Sequence, residues 1–110
     1  MSSRTPRIAR LNDLLRTAFL GGKVVITQGI AALDDAVRED ILLRVRQFEG
    51  FTPDNDPYGE HDFGAFVHPV AGKVFWKIDC YDRQLLYGSP DPADPKVTCR
   101  VLTIMRAEEY

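Results

Sequence analysis

The sequence predicts an α+β fold: an antiparallel sheet of three to four strands with two helices packed on one face, in the order α-β-α-β-β-β. Three observations predict it. Two segments carry apolar residues at helical spacing with charged residues opposite, the pattern of helices laid on a sheet. Residues 73–81 alternate between Val74, Trp76, Ile78, Cys80 and Phe75, Lys77, Asp79, Tyr81, a period of two that marks a strand. The strand candidates that end the chain have no crossover helix between them, so they are expected to run antiparallel.

The first helix is expected to start at Thr5-Pro6, with the Thr5 hydroxyl as N-cap and Pro6 at the first helical position. Ile8, Leu11, Leu15 and Phe19 form its apolar stripe, and Gly21-Gly22 stops it. Residues 23–28, short and β-branched between glycines, read as a strand. The second helix starts at Asp34 or Asp35, where a carboxylate opposes the positive helix end. Its stripe is Val37, Ile41, Val45 and Phe48, widened by Leu42; Arg44 and Arg46 suit its last turns, and Gly50 ends it. A polar connection with Pro53, Pro57 and Gly59 follows, then strands over residues 63–68, 73–81 and 97–106. Three prolines between Ser89 and Pro95 cannot occupy a central strand.

A chain of 110 residues has room for one domain, residues 1–110. The 45% hydrophobic and 27% charged composition is that of a globular protein, not of a disordered one. The net charge of −2 conceals an acidic middle, since residues 47–95 hold three basic and nine acidic side chains. Such a stretch is either a solvated loop surface or a site for a divalent cation or basic partner. No apolar run approaches the roughly 20 residues of a membrane span. No apolar stretch follows Arg4, Arg7 and Arg10 to make a secretory signal. Two cysteines, Cys80 and Cys99, are too few for a disulfide scaffold, so a cytoplasmic, reducing setting is expected.

The stretch Asn55-Asp56-Pro57-Tyr58-Gly59-Glu60-His61-Asp62-Phe63-Gly64 resembles a family of small bacterial proteins, often plasmid-borne, known as a domain of unknown function. Trp76-Lys77-Ile78-Asp79, Ser89-Pro90-Asp91-Pro92, Arg100-Val101-Leu102-Thr103-Ile104-Met105 and the Glu109-Tyr110 ending strengthen the resemblance. It implies a bacterial origin and one compact domain, and it supplies no activity.

Chemistry is densest in Asp54, Asn55, Asp56, Glu60, His61 and Asp62. Carboxylates beside an imidazole suit a divalent metal or acid–base work, so Asp54, Asp56, Glu60, His61 and Asp62 are candidate metal ligands. A calcium loop is excluded, because Tyr58 and Ala65 stand where ligands are required. In an extended segment Glu60 and Asp62 share one side and His61 points to the other, with Asp79 or Asp82 able to approach one set. Glu60, His61, Asp62 and Asp79 are therefore candidate catalytic residues for metal-dependent phosphodiester cleavage, with Lys77 steadying developing charge. The bland alternative is a loop folded back on its own backbone, with His61 anchoring it to the sheet.

The other face of residues 73–81 presents Phe75, Lys77, Asp79 and Tyr81, with Phe66, His68 and Arg100 expected beside them. Aromatics interleaved with cations suit single-stranded nucleic acid, although Asp79 opposes phosphate. Arg4, Arg7, Arg10 and Arg16 give the first helix a basic flank. Cys80 and Cys99 are expected to be buried free thiols on neighbouring strands. The leading expectation is a non-catalytic interaction module needing no cofactor. It holds a protein partner or its own copy through residues 54–62 and the sheet face, with Asp56, Tyr58, Phe75, Lys77 and Tyr81 in contact. The alternatives are a divalent-metal-dependent nuclease-like enzyme and nucleic-acid binding without cleavage.

Overall fold

The computed structural model describes residues 4–110. Its elements are helix α1 (Arg4–Ala18), strand β1 (Lys23–Ile26), a one-turn helix α2 (Gln28–Ala31), helix α3 (Asp35–Arg46), and strands β2 (Phe63–His68), β3 (Gly72–Tyr81) and β4 (Cys99–Arg106). A 3₁₀ turn over Ala107–Glu109 closes the chain. The α+β class holds, with one addition to the expected pairing. The sheet order is β1-β4-β3-β2; β2, β3 and β4 are antiparallel neighbours, but β1 lies parallel to β4. No hairpin links β1 to β4, so nothing in the local sequence fixes their relative direction.

Several element ends differ from expectation. Helix α1 already includes Arg4 and Thr5, so Thr5 is not its cap, and Pro6 is tolerated within the first described turn. It ends before the glycines, because Phe19 itself takes a left-handed conformation (φ 57°). Strand β1 stops at Ile26; α2 was not foreseen, since four residues carry no periodic signal. Helix α3 ends at Arg46 with Gln47 as its cap, four residues before Gly50. Strand β4 begins at Cys99, because Thr98 is spent on the preceding loop: its hydroxyl donates to carbonyls of Asp91 and Asp94.

All three helices contribute to one core on one side of the sheet. Leu15 of α1, Ile30 of α2 and Ile41 and Val45 of α3 pack on Val74, Trp76 and Ile78 of β3 and Leu102 and Ile104 of β4. Trp76 is fully buried, with Phe48 and Phe51 edge-on to it. Its cross-strand neighbour is Gly64, where a Cβ would collide with the indole nitrogen.

Pairing register overturns three placements. Phe66 lies opposite Val74, so Phe66 and His68 face the helices rather than flank Phe75; the neighbours of Phe75 are Ala65 and Met105. Arg100 pairs with Cys80 on the helix side and is 2% exposed, so it is not on the open face. Cys99 pairs with Tyr81, which turns the two half-buried free thiols to opposite faces. One-residue parity decides all three, because successive strand residues point to opposite sides.

Candidate functional site

The segment between α3 and β2 is built on a buried arginine. Arg16, expected on a basic flank, is 4% exposed: its Nη1 donates to the carbonyls of Val45 (3.0 Å), Arg46 (3.2 Å) and Phe48 (2.8 Å). These are orphan acceptors where α3 ends, and a cation there also opposes the negative helix terminus. The guanidinium lies 5.3 Å from the ring centroids of both Phe51 and Trp76, which fixes the chain as it leaves α3.

The next residues fold on themselves. Thr52 N–H donates to Asn55 Oδ1 (2.8 Å), Asn55 N–H to Thr52 Oγ1 (3.3 Å), and Asn55 Nδ2 to the Gly50 carbonyl (2.8 Å). Asp56 Oδ1 accepts the His61 N–H (3.1 Å), closing a loop in which Gly59 turns at φ 68°. The side chain of Asp56 is 6% exposed, so it is committed to this loop and is not on a partner-facing surface. Asn55, Asp56 and Gly59 in the Asn-Asp-Pro-Tyr-Gly stretch thus have conformational work, the pattern of side chains capping their own backbone.

His61 departs from expectation in its anchor. The loop is tied to α1, not to the sheet: Nδ1 lies 3.0 Å from the Asp13 carboxylate, and Nε2 lies 3.6 Å from Asp56 Oδ2. The ring stacks on Phe51 at 4.0 Å, nearly parallel, and the residue holds a left-handed φ of 55°. With a carboxylate at each nitrogen, the imidazole is a structural bridge between α1 and the loop. A cleft of about 530 Å³ lies beside it, lined by Thr5, Phe51, Pro53, Tyr58 and His61. Tyr58 is 80% exposed there, whereas Asp54 is exposed and lines neither this cleft nor the cavity on the other side.

On that other side, Glu60, Asp62 and Asp79 line a cavity of about 220 Å³ with Asn12, Ile78 and Cys80. Residues 60–62 are not an extended strand, since His61 is left-handed, yet Glu60 and Asp62 still line one cavity; Asp62 O accepts the Ile78 N–H (2.8 Å), extending the β2–β3 ladder by one bond. Burial raises the Glu60 carboxyl above its ordinary value, reinforced by Asp62 and Asp56. Asp62 is raised by burial, with Asp56 and Asp79 adding to it against a backbone hydrogen bond. Burial also pushes the Cys80 thiol up, which keeps it protonated and a poor nucleophile. Asn12, 1% exposed, braces the cavity by donating to the Glu60 carbonyl and accepting from Arg100 Nε, both at 2.9 Å; Arg100 also reaches the Pro92 carbonyl.

The four catalytic candidates are therefore divided, with Glu60, Asp62 and Asp79 on one side and His61 on the other. Lys77 is bound to Asp79 at 2.8 Å. Among the described residues no three His, Cys, Asp or Glu side chains stand together as a cation-binding group. Asp13, Asn12 and Arg16 were missed as parts of the site. Asn12 and Arg16, four and eight residues after Ile8, fall inside the apolar stripe of α1, which is their signal; Asp13 carries none.

The opposite face of the sheet carries no helix. Phe63, Phe75 and Tyr110 form an aromatic row there at 5.5 Å spacings, and Lys73 sits 5.4 Å above the Phe75 ring. The C-terminal turn is held by Glu109, whose carboxylate accepts from Thr27 Oγ1 (2.6 Å), Gly29 N–H (2.9 Å) and Arg106 N–H (2.9 Å). Beside it a groove of about 370 Å³ is lined by Thr27, Lys77, Thr103, Met105 and Tyr110. No helix among the described residues is long and apolar enough to cross a membrane.

A two-layer α+β domain with an internally tied loop and one bare sheet face defines the class of protein. Residues 26–109 match the family described as "Protein of unknown function (DUF3768)", and the chain belongs to that family. No curated protein and no solved structure matches the chain.

Proposed function

We propose that this chain is a non-catalytic interaction module, a single bacterial cytoplasmic domain that docks a protein partner or its own copy through the bare face of its sheet. One observation carries this proposal. The outward face of the sheet carries apolar side chains among its charged ones, with no layer of helices over them: Phe63 and Val67 on β2, Phe75 on β3, Val101 on β4 and Val25 on β1, beside Lys23, Lys73, Lys77 and Asp79. Phe75, Lys77 and Tyr81 belong to this surface. Tyr58 lies with Thr5 of α1, so it marks a second, separate contact point.

Co-purification from the native host tests the proposal. Wild-type chain is expected to retain a bound protein that Val67→Lys loses, since Val67 is 69% exposed and its replacement leaves the core intact. Retention by both proteins counts against docking through this face, as does retention by neither when the wild-type chain is also strictly monomeric in solution.

A metal-dependent hydrolase would draw on Glu60, Asp62 and Asp79, which line one cavity. Melting of chelator-stripped protein with Mg²⁺, Mn²⁺, Ca²⁺ and Zn²⁺ separates the two functions. A ligand at a hundredfold excess over Kd adds about 2.7 kcal/mol, several degrees in a domain of this size. The interaction module is expected to show no selective shift, and a shift abolished by Glu60→Ala would favour the enzyme.

A further inference from the structure

We infer that the cleft beside His61 takes an arginine or lysine side chain of a protein partner, its charged end between His61 and Asp56 and its stem along Tyr58. The site goes beyond docking through the bare sheet face and is independent of it.

Two acceptors face each other inside this cleft. Asp56 lines it with a side chain only 6% exposed, so what reaches the carboxylate must enter the cleft rather than lie across the surface. Oδ1 accepts the His61 N–H at 3.1 Å. Oδ2 has no donor within hydrogen-bond reach among the described residues, and faces His61 Nε2 at 3.6 Å.

The other ring nitrogen fixes what Nε2 is. Nδ1 lies 3.0 Å from both oxygens of Asp13, which places a proton on Nδ1. A second proton, on Nε2, would draw Asp56 in to the roughly 2.8 Å of a charge-assisted bond. At 3.6 Å the two atoms stand apart, lone pair against lone pair. Arg16 does not relieve them, since it is bound to Asp13 and to the carbonyls of Val45, Arg46 and Phe48. His61 holds this pose at a left-handed φ of 55°, a strained conformation for a residue with a Cβ.

The chemistry of the cleft selects the occupant. A cation with N–H donors, placed between Nε2 and Oδ2, bonds both and neutralises the carboxylate. A metal ion finds only these two ligands, fewer than a stable site holds. A neutral side chain leaves the charge of Asp56 unmet. The remaining walls are apolar, with Phe51, Pro53, Pro57 and Tyr58 around about 530 Å³. Tyr58 is 80% exposed, so its ring is free to lie along a methylene stem or a guanidinium plane.

Titration of the isotope-labelled full chain with N-acetyl-arginine amide and N-acetyl-lysine amide, followed by magnetic resonance, tests the inference. N-acetyl-citrulline amide and N-acetyl-norleucine amide are the neutral counterparts. Each cationic amide is expected to shift Asp56, Tyr58 and His61 saturably, with a Kd in the millimolar range for a single side chain. The neutral amides are expected to bind about tenfold more weakly or worse. Asp56→Asn is expected to lose about as much, because it keeps Oδ1 for the His61 N–H and sets an N–H donor where Oδ2 stood. Tyr58→Ala is expected to weaken binding severalfold at an exposed residue. Val67→Lys is expected to leave the titration unchanged, so failure of this site and failure of the sheet face read separately.

Equal binding of cationic and neutral amides overturns the inference, as do shifts that spread over the surface without saturating. Indifference to Asp56→Asn overturns it too; should that variant fail to fold, indifference to Tyr58→Ala does so alone. An Nε2 that carries a proton in the free chain at about pH 8, read from its nitrogen shift, removes the second acceptor and the inference with it. Zn²⁺ giving the same shifts at lower concentration than either amide overturns it in favour of a metal.

Discussion

Trp76 and Phe75 are adjacent in sequence and differ in almost everything else. Trp76 points toward the helices, is fully buried and has Phe48 and Phe51 edge-on to its ring. Phe75 points away from them, half-buried, with the Phe63 and Tyr110 rings beside it and the Lys73 ammonium above its ring. The inward face of β3 is apolar and closed by the helices, whereas its outward face mixes Phe75 and Tyr81 with Lys73, Lys77 and Asp79 and carries only Tyr110 across Phe75. Aromatic side chains that the helices leave uncovered are what the proposed docking face rests on, more than any polar motif in the loop.

The largest effect that tests this contrast is on stability. Trp76→Ala is expected to cost about 3–5 kcal/mol in urea unfolding at low protein concentration, the range for a buried aromatic. Phe75→Ala is expected to cost roughly 1–2 kcal/mol under the same conditions, because less of its area is buried. Equal losses would remove the distinction between the faces. Arg16→Met is expected to cost about 1.5–3 kcal/mol by leaving the carbonyls where α3 ends without their charged donor. The same change at exposed Arg10 is expected to stay within about 0.5 kcal/mol. Gly64→Ala is expected to cost about 1–3 kcal/mol by displacing Trp76.

The smallest effects are pH-dependent and of opposite sign on the two sides of the sheet. Thr27 and the backbone of Arg106 and Gly29 hold Glu109 below its ordinary 4.5. Its contribution is therefore present above that value and is lost as pH falls through the lower folded value. Glu60 is raised by burial, so its ionisation opposes folding, and that cost appears as pH rises through the raised value. Melting at pH 7 is expected to fall for Glu109→Gln and rise for Glu60→Gln, with both differences shrinking in acid. The same direction for both variants would contradict the assignment. Asp40, lowered by Arg44 and then by the His68 ring 2.7 Å away, follows Glu109 in losing its contribution in acid.

The resemblance drawn from the Asn-Asp-Pro-Tyr-Gly-Glu-His-Asp-Phe-Gly stretch agrees with the family match, but most of the polar side chains in that stretch are absorbed by architecture. Asn55, Asp56 and His61 each have a partner that shapes the loop. Of the metal and catalytic candidates, Glu60, Asp62 and Asp79 line one cavity without forming a cation-binding group among the described residues. His61 and Asp54 do not join them. The bland alternative for the loop was thus correct in its hydrogen bonding and wrong in its anchor, which is Asp13, 48 residues away.

What the sequence by itself determined follows from short-range periodicity. The alternation over 73–81, the bounds of the 63–68 strand, the apolar stripes of both main helices and the burial of Trp76 were all legible, because neighbouring residues decide which way a side chain points. What only the tertiary structure decided depends on groups far apart in the chain. The parallel partner of β1 lies 78 residues downstream, and Arg100 reaches Asn12 across 88 residues. Arg16 looks like a surface charge until α3 brings three carbonyls to it. A buried polar residue is stable only where its hydrogen-bond partners converge, and that convergence exists only once the chain has folded.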